Sequence, residues 1–220
     1  MNELLFFGHI FLVVAFSFVA LRLGPLALTA LIALQAVLAN LFVVKQMTLF
    51  GLNATCSDVF AIGSLLALNL LQEFFGREAA QKAVRASFLS MAFFASMAYI
   101  HLSYWPSAHD QMQGAFLQIL SATPRIVLAS VAVYWVVQQI DVRVFGWLRE
   151  RCEGRHLPFR LMAALFLSQT IDTVLFSFLG LYGLVSSLLE IMLISLLIKG
   201  AAIACSAPLT AFARRFARSP

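Results

Sequence analysis

Apolar residues fall into seven stretches, near 4–21, 25–44, 57–75, 84–104, 125–140, 161–181 and 185–207, parted by short polar segments. Each approaches the roughly 20 residues that a membrane-crossing helix needs. Hydrocarbon offers no partner for free peptide groups, so such runs must satisfy their backbone internally and are predicted to be helices. The fifth run is short and ends on Gln138 and Gln139, which predicts an extension to Val144.

Composition supports this reading. Of 220 residues, 62% are hydrophobic and 11% charged, and mean hydropathy is +0.92. A soluble domain carries about 45–50% apolar and about 25% charged residues, and a chain of this size has too little interior to hide the excess. A soluble enzyme, a disordered chain and a nucleic-acid binder are excluded. The expected fold is all-α: a polytopic transmembrane bundle of about seven spans, forming one integral membrane domain over 1–220. The leader before Arg22 holds Glu3, no Lys or Arg, and no small-x-small cleavage site, so residues 1–21 are expected to be a retained helix.

The net charge of +5 is distributed by topology. Arg77, Lys82 and Arg85 follow the third run. Arg143, Arg149, Arg151, Arg155 and Arg160 follow the fifth, and Arg214, Arg215 and Arg218 form the tail. Seven spans place these groups and Arg22 on one side, with Lys45 in a loop on the other. Basic loops stay cytoplasmic, so the expectation is a multi-pass protein of a bacterial inner membrane, N-terminus outside and C-terminus inside. Cys56, Cys152 and Cys205 form no CxxC pattern, and His9, His101, His109 and His156 no metal-ligand spacing. No cofactor is expected. Segment 105–123 mixes Trp105, Phe116 and Ile119 with polar residues and reads as an interfacial helix, a lid or a loop on the headgroups. Ala27, Ala30, Ala33, Ala36 and Ala39 spiral round the second helix and suit close packing rather than a dimer seam. A homodimer stays open.

Candidate chemistry lies in polar residues sunk in the runs. A charge at a helix centre costs about 2.5–3.5 kcal/mol on insertion scales, so it persists where it is paired, hydrated or used. The candidates are Asn40, Asn69, Gln72, Glu73, Arg125, Gln169, Asp172, Glu190 and Lys199. Asn69 and Glu73 share a helix face at i, i+4, as do Gln169 and Asp172 at i, i+3. Glu73 either snorkels toward Arg77 or serves a ligand. Asp172 is too deep to snorkel; it either pairs with Lys199 or Arg125, or it binds. Glu190 and Lys199 face opposite sides of one helix and each needs a partner elsewhere. Arg125 follows Pro124 and could be an interface anchor. No Walker A, GxSxG, channel filter or voltage-sensor stripe is present, and no nucleophile or metal set accompanies the carboxylates. The expectation is therefore a transporter rather than an enzyme.

The ordered polar motifs resemble the queuosine precursor transporter family, a branch of the vitamin-uptake transporters. They are Ala39–Asn40 with Lys45 and Gly51, then NLLQEFFGREAA at Asn69–Ala80, where the family usually reads D-x-x-x-E-x-[FY]-G-x-x-x-A. PRIVLAS at Pro124–Ser130, DVRVF at Asp141–Phe145, Arg160, QTIDTVLF at Gln169–Phe176, Glu190, Lys199 and Pro208 follow. The resemblance covers roughly 38–208, within a family core over 25–210, and leaves an extra N-terminal helix at 1–24. One departure is Asn69, where the family usually has Asp.

The resemblance implies import of queuine, 7-cyano-7-deazaguanine or 7-aminomethyl-7-deazaguanine for tRNA modification. It also implies a fold like the substrate-binding subunits of energy-coupling-factor transporters, working without an obligatory ATPase. The alternatives are a binding subunit of an ATP-driven vitamin importer and a carrier of another purine-like heterocycle. The chemistry suits a 7-deazaguanine base. A buried carboxylate (Glu73, Asp172 or Glu190) can accept its N1–H and 2-amino group together. Asn69, Gln169, Lys199 or Arg125 can donate to O6, and Asn40 completes the candidate set.

Overall fold

The computed structural model describes residues 1–43, 45–120, 124–183 and 188–210; the side chains at 52–54, 124–127, 181, 190 and 205–210 lie outside that description. Its long helices are α1 (Asn2–Leu23), α2 (Pro25–Phe42), α3 (Asp58–Phe75), α4 (Arg77–Ser103), α6 (Pro124–Arg151), α7 (Leu157–Phe176) and α8 (Leu188–Thr210), with a short α5 (Gln113–Leu120). Six of them, α1 to α4, α6 and α7, are long and apolar enough to cross a membrane. In α8 the described apolar stretch is Ile191–Ala204. The molecule is a polytopic helical membrane protein.

Helix ends follow local chemistry. Gly24 (φ 107°) breaks α1 from α2, and Pro25 opens α2 with the fixed φ that suits a first helical position. Gly76 (φ 88°) does the same between α3 and α4. α4 begins at Arg77 and α6 runs to Arg151, well beyond the apolar runs, because Glu, Lys, Gln and Arg are good helix formers outside the hydrocarbon. A π-helical turn, Ser177–Leu181, continues α7. Segment 105–123 contains α5.

One element was not expected. Strands β1 (Gln46–Leu49) and β2 (Leu52–Thr55) pair antiparallel, with Leu49 opposite Leu52 and Gln46 opposite Thr55. Phe50 (φ 50°) and Gly51 (φ 80°) make the tight turn, whose mirror-image geometry matches strand twist. Glu3 Oε1 accepts from the Phe50 N–H at 3.3 Å and Asn2 donates to the Thr48 carbonyl at 3.0 Å, tying the hairpin to the start of α1.

α3 is the axis. It touches every other long helix, while α1, α2, α4, α6, α7 and α8 contact one another in a closed ring around it. Ile62 to Gln72 are buried without a break. A helix apolar on all sides must be enclosed, and α3 is enclosed here by protein rather than lipid. Ring helices send one face inward, as α1 does with Phe6, Ile10, Val14 and Leu21, and leave Phe11, Phe16, Phe93 and Phe166 outward. Ala80, Ala83 and Ser87 give α4 a small-residue inner face for close approach.

Candidate functional site

Because α3 is the enclosed helix, its polar residues define the interior chemistry. They fall into three levels.

At the C-terminal end of α3, Glu73 is clasped by Arg160 of α7. Arg160 Nη1 and Nη2 each donate to a different Glu73 carboxylate oxygen at 2.9 Å, a bidentate pair. Arg149 of α6 adds a contact at 3.4 Å. The Arg160 side chain is fully buried, donates also to the Arg155 and Gly154 carbonyls, and lies 5.4 Å from the centre of the Phe145 ring. The carboxylate predicted to snorkel toward Arg77 or to accept a ligand is thus occupied by a different arginine. Arg160, counted among the basic loop residues that set topology, is withdrawn into the protein.

At the opposite end, Lys199 of α8 donates to Asp172 of α7 at 2.8 Å and to Thr173 Oγ1 at 3.1 Å, with Asp58 of α3 at 4.0 Å. The predicted alternative of an Asp172–Lys199 ion pair is realised, with Asp58 as a second carboxylate the sequence reading did not single out. Asp58 and Glu73 stand fifteen positions apart on one helix, about 22 Å at standard rise. The two ion clusters therefore sit at opposite ends of the bundle.

Between them lies an uncharged-to-acidic middle level on α3, α6 and α7. Ser168 donates to Asp141 Oδ1 at 2.6 Å, and Asn69 lies beside the same carboxylate. Gln138 donates to Ser64 at 3.2 Å, Ser64 bonds the Tyr134 hydroxyl at 3.0 Å, and Gln72 donates to the Val142 carbonyl at 2.9 Å. Asn69, Gln138, Asp141 and Ser168 are fully buried, and Gln72 and Gln169 almost so. Several of their atoms have no hydrogen-bond partner: Asp141 Oδ2 and the Oε1 of Gln72, Gln138 and Gln169. Both polar atoms of Gln35, facing Gly63, are also unmatched. Each such group costs about 1–3 kcal/mol. That is a large expense for a fold to carry without return.

The predicted residues therefore part company. Asp172 and Lys199 come together; Asn69 and Gln169 are buried on the facing helices α3 and α7; Glu73 belongs to the other end. Asn40 clasps two helices, accepting from Ser130 of α6 at 2.7 Å while donating to the Ala36 carbonyl. The side chains of Arg125 and Glu190 lie outside the described residues. Asp58 was not singled out, and Asp141 entered only within the DVRVF motif, not as a candidate site residue. A signal was nonetheless present: Tyr134, Gln138, Asp141 and Phe145 recur at helical spacing and share one face of α6.

Two clefts open at the ends. One of about 470 Å³ is lined by Gln72, Arg77, Arg143, Gly146 and Arg149, on the basic rim beside the Glu73–Arg160 end of the bundle. The other, about 510 Å³, lies between α4 and α5 and is lined by His101, Trp105, Met112 and Phe116 among others. Among the described residues no cluster of His, Cys, Asp and Glu could hold a metal ion.

A ring of spanning helices closed on a polar interior defines a multi-pass membrane protein built to handle a solute. The chain belongs to the vitamin uptake transporter family. Residues 55–213 match the family described as "Putative vitamin uptake transporter". The "Probable queuosine precursor transporter" of Bacillus subtilis (strain 168) is 32% identical over 163 residues, covering 72% of this chain and 71% of that relative. No solved structure matches the chain.

Proposed function

We propose that the protein imports a queuosine precursor, a 7-deazaguanine base, across a bacterial inner membrane. Its N-terminus is outside, its C-terminus is cytoplasmic, and it needs no ATPase partner. The observation that carries this reading is the layer of buried, unsatisfied amide and carboxylate groups on α3, α6 and α7 in a member of this family. The relative's description supplies the substrate class. A planar base rich in donors and acceptors would satisfy groups that the protein leaves unmatched. Of the predicted residues, Asn69 and Gln169 are assigned to the base. Asp172 and Lys199 are assigned to an exchangeable pair that an amine-bearing precursor could open. Glu73 and Asn40 are assigned to holding helices together.

The test is uptake of radiolabelled 7-aminomethyl-7-deazaguanine into proteoliposomes containing this chain alone, without ATP. Uptake competed by queuine or 7-cyano-7-deazaguanine, and weakly by guanine, supports the reading. Uptake that appears only with an added ATPase subunit points to a binding subunit, and competition by guanine alone points to a general purine carrier.

A further inference from the structure

The cleft of about 470 Å³ at the basic end gathers hydrogen-bond donors from three helices. Two of its arginines, Arg77 at the start of α4 and Arg143 on α6, are in no ion pair among the described residues. Arg149 lines it too, within 3.4 Å of Glu73. Gln72 of α3 is a third kind of donor, lining the cleft while only 2% exposed. Its amide nitrogen gives one hydrogen to the Val142 carbonyl at 2.9 Å, which fixes the amide. The second hydrogen meets no acceptor among the described residues. Gly146 keeps that nitrogen uncovered, since a Cβ at this cleft-lining position would stand 3.0 Å from it. α4 adds its own field. Gly76 caps it without a side-chain hydrogen bond, so the positive end of the helix dipole is presented at Arg77. Donors converging from α3, α4 and α6 suit a guest made of acceptors, an anion.

We propose that this cleft binds the phosphate of an anionic phospholipid headgroup, with Arg77, Arg143 and the Gln72 amide as its donors. A guanidinium group pairs with phosphate oxygens through two hydrogen bonds at a time. In the lining three arginines meet two carboxylates, Glu150 and Glu153, so the balance calls for one negative charge, that of a phosphodiester. Both glutamates are exposed, and the hydroxyls of a glycerol headgroup give them donors. Trp147 is exposed at the same cleft and supplies the amphipathic ring that belongs at headgroup level. The proposed topology makes this end cytoplasmic, where anionic lipids attract basic clusters. A lipid seated here ties the C-terminal end of α3 to α4 and α6, beside the Glu73–Arg160 clasp. The site does not depend on which solute is carried.

The experiment titrates dioctanoyl phosphatidylglycerol, dioctanoyl phosphatidylcholine and inorganic phosphate into the purified full-length protein in neutral detergent. Binding is read as a rise in unfolding temperature. Phosphatidylglycerol is expected to bind well ahead of the other two. Arg77→Gln and Arg143→Gln should each weaken it about fivefold, the contribution of one arginine near a membrane surface. Gly146→Ala, which covers the Gln72 amide without changing charge, should weaken it severalfold. Arg151→Gln, at the same end but outside the cleft, should leave it unchanged and controls for net charge. Where Gly146→Ala does not fold, the contrast between Arg143→Gln and Arg151→Gln decides. Equal binding of the two lipids, or a loss in Arg151→Gln as large as in Arg143→Gln, overturns the site. Inorganic phosphate binding as tightly as phosphatidylglycerol overturns the lipid and gives the cleft to a free anion.

Discussion

Arg160 reaches Glu73 with two hydrogen bonds of equal length, 2.9 Å, and does so from a fully buried position between α6, α7 and the loop joining them. The pair locks the C-terminal end of α3 to α7. Removing one partner of a buried ion pair leaves an uncompensated charge and costs about 3–5 kcal/mol. Glu73→Gln and Arg160→Gln should each lower thermal stability of the purified protein, and the double substitution should recover part of the loss. Full stability in both single variants would show that the pair is not a structural clamp.

Lys199 serves two carboxylates, Asp172 at 2.8 Å and Asp58 at 4.0 Å. Removing the cation strands two acids, while removing either acid leaves one pair intact. Lys199→Met should therefore impair both stability and uptake more than Asp58→Asn or Asp172→Asn. Thermal unfolding and initial uptake rates of the three variants check the order. A milder effect of Lys199→Met than of either acid variant would contradict this arrangement.

At Gly63, α3 packs tightly against α1 and α2. A Cβ there would collide with Gln35 Oε1 of α2 and Val13 Cγ1 of α1. Overpacking of this kind costs about 1–3 kcal/mol, so Gly63→Ala should lower the unfolding temperature. By contrast Gly8→Ala meets open space and should be neutral. Equal behaviour of the two would place the α1–α2–α3 junction elsewhere.

Cys56 follows the hairpin and Cys152 follows α6, so the proposed topology puts them on opposite faces of the membrane. Partial burial, together with the Asp58 carboxylate, pushes the Cys56 thiol above the ordinary range against an opposing pull from Lys45. Since the thiolate is the reactive form, a raised pKa means less thiolate at a given pH. Labelling of Cys56 by an impermeant maleimide in intact cells should be slower than for a free thiol near pH 7 and should keep accelerating as pH rises. Cys152 should label only after the membrane is opened. The reverse pattern would invert the topology.

Much of the fold was legible because hydrocarbon imposes a single rule, that a long apolar run is a helix. The rule is silent where polar residues continue a helix past the membrane, which is why α4 starts at Arg77 rather than near 84 and α6 persists to Arg151. It is silent too on the hairpin, whose Phe50–Gly51 turn lacks the usual Asn-Gly signature. Polar residues inside the runs flagged the interior, and Asn69, Gln169, Asp172 and Lys199 are all buried or partly so in the bundle. Their grouping was not legible, because it depends on which helices adjoin. Arg160 looked like a loop charge until α3 and α7 were seen to meet at Glu73, and Asp141 stood only within the DVRVF motif until Ser168 was found bonded to it.

The most direct trial uses cells that cannot make queuosine and lack their own importer, transformed with this chain and fed queuine, 7-cyano-7-deazaguanine or 7-aminomethyl-7-deazaguanine at low concentration. Queuosine in their tRNA is then quantified. The account expects it to reappear with at least one of the three. Well-expressed, membrane-inserted protein that restores no queuosine with any of them would contradict it.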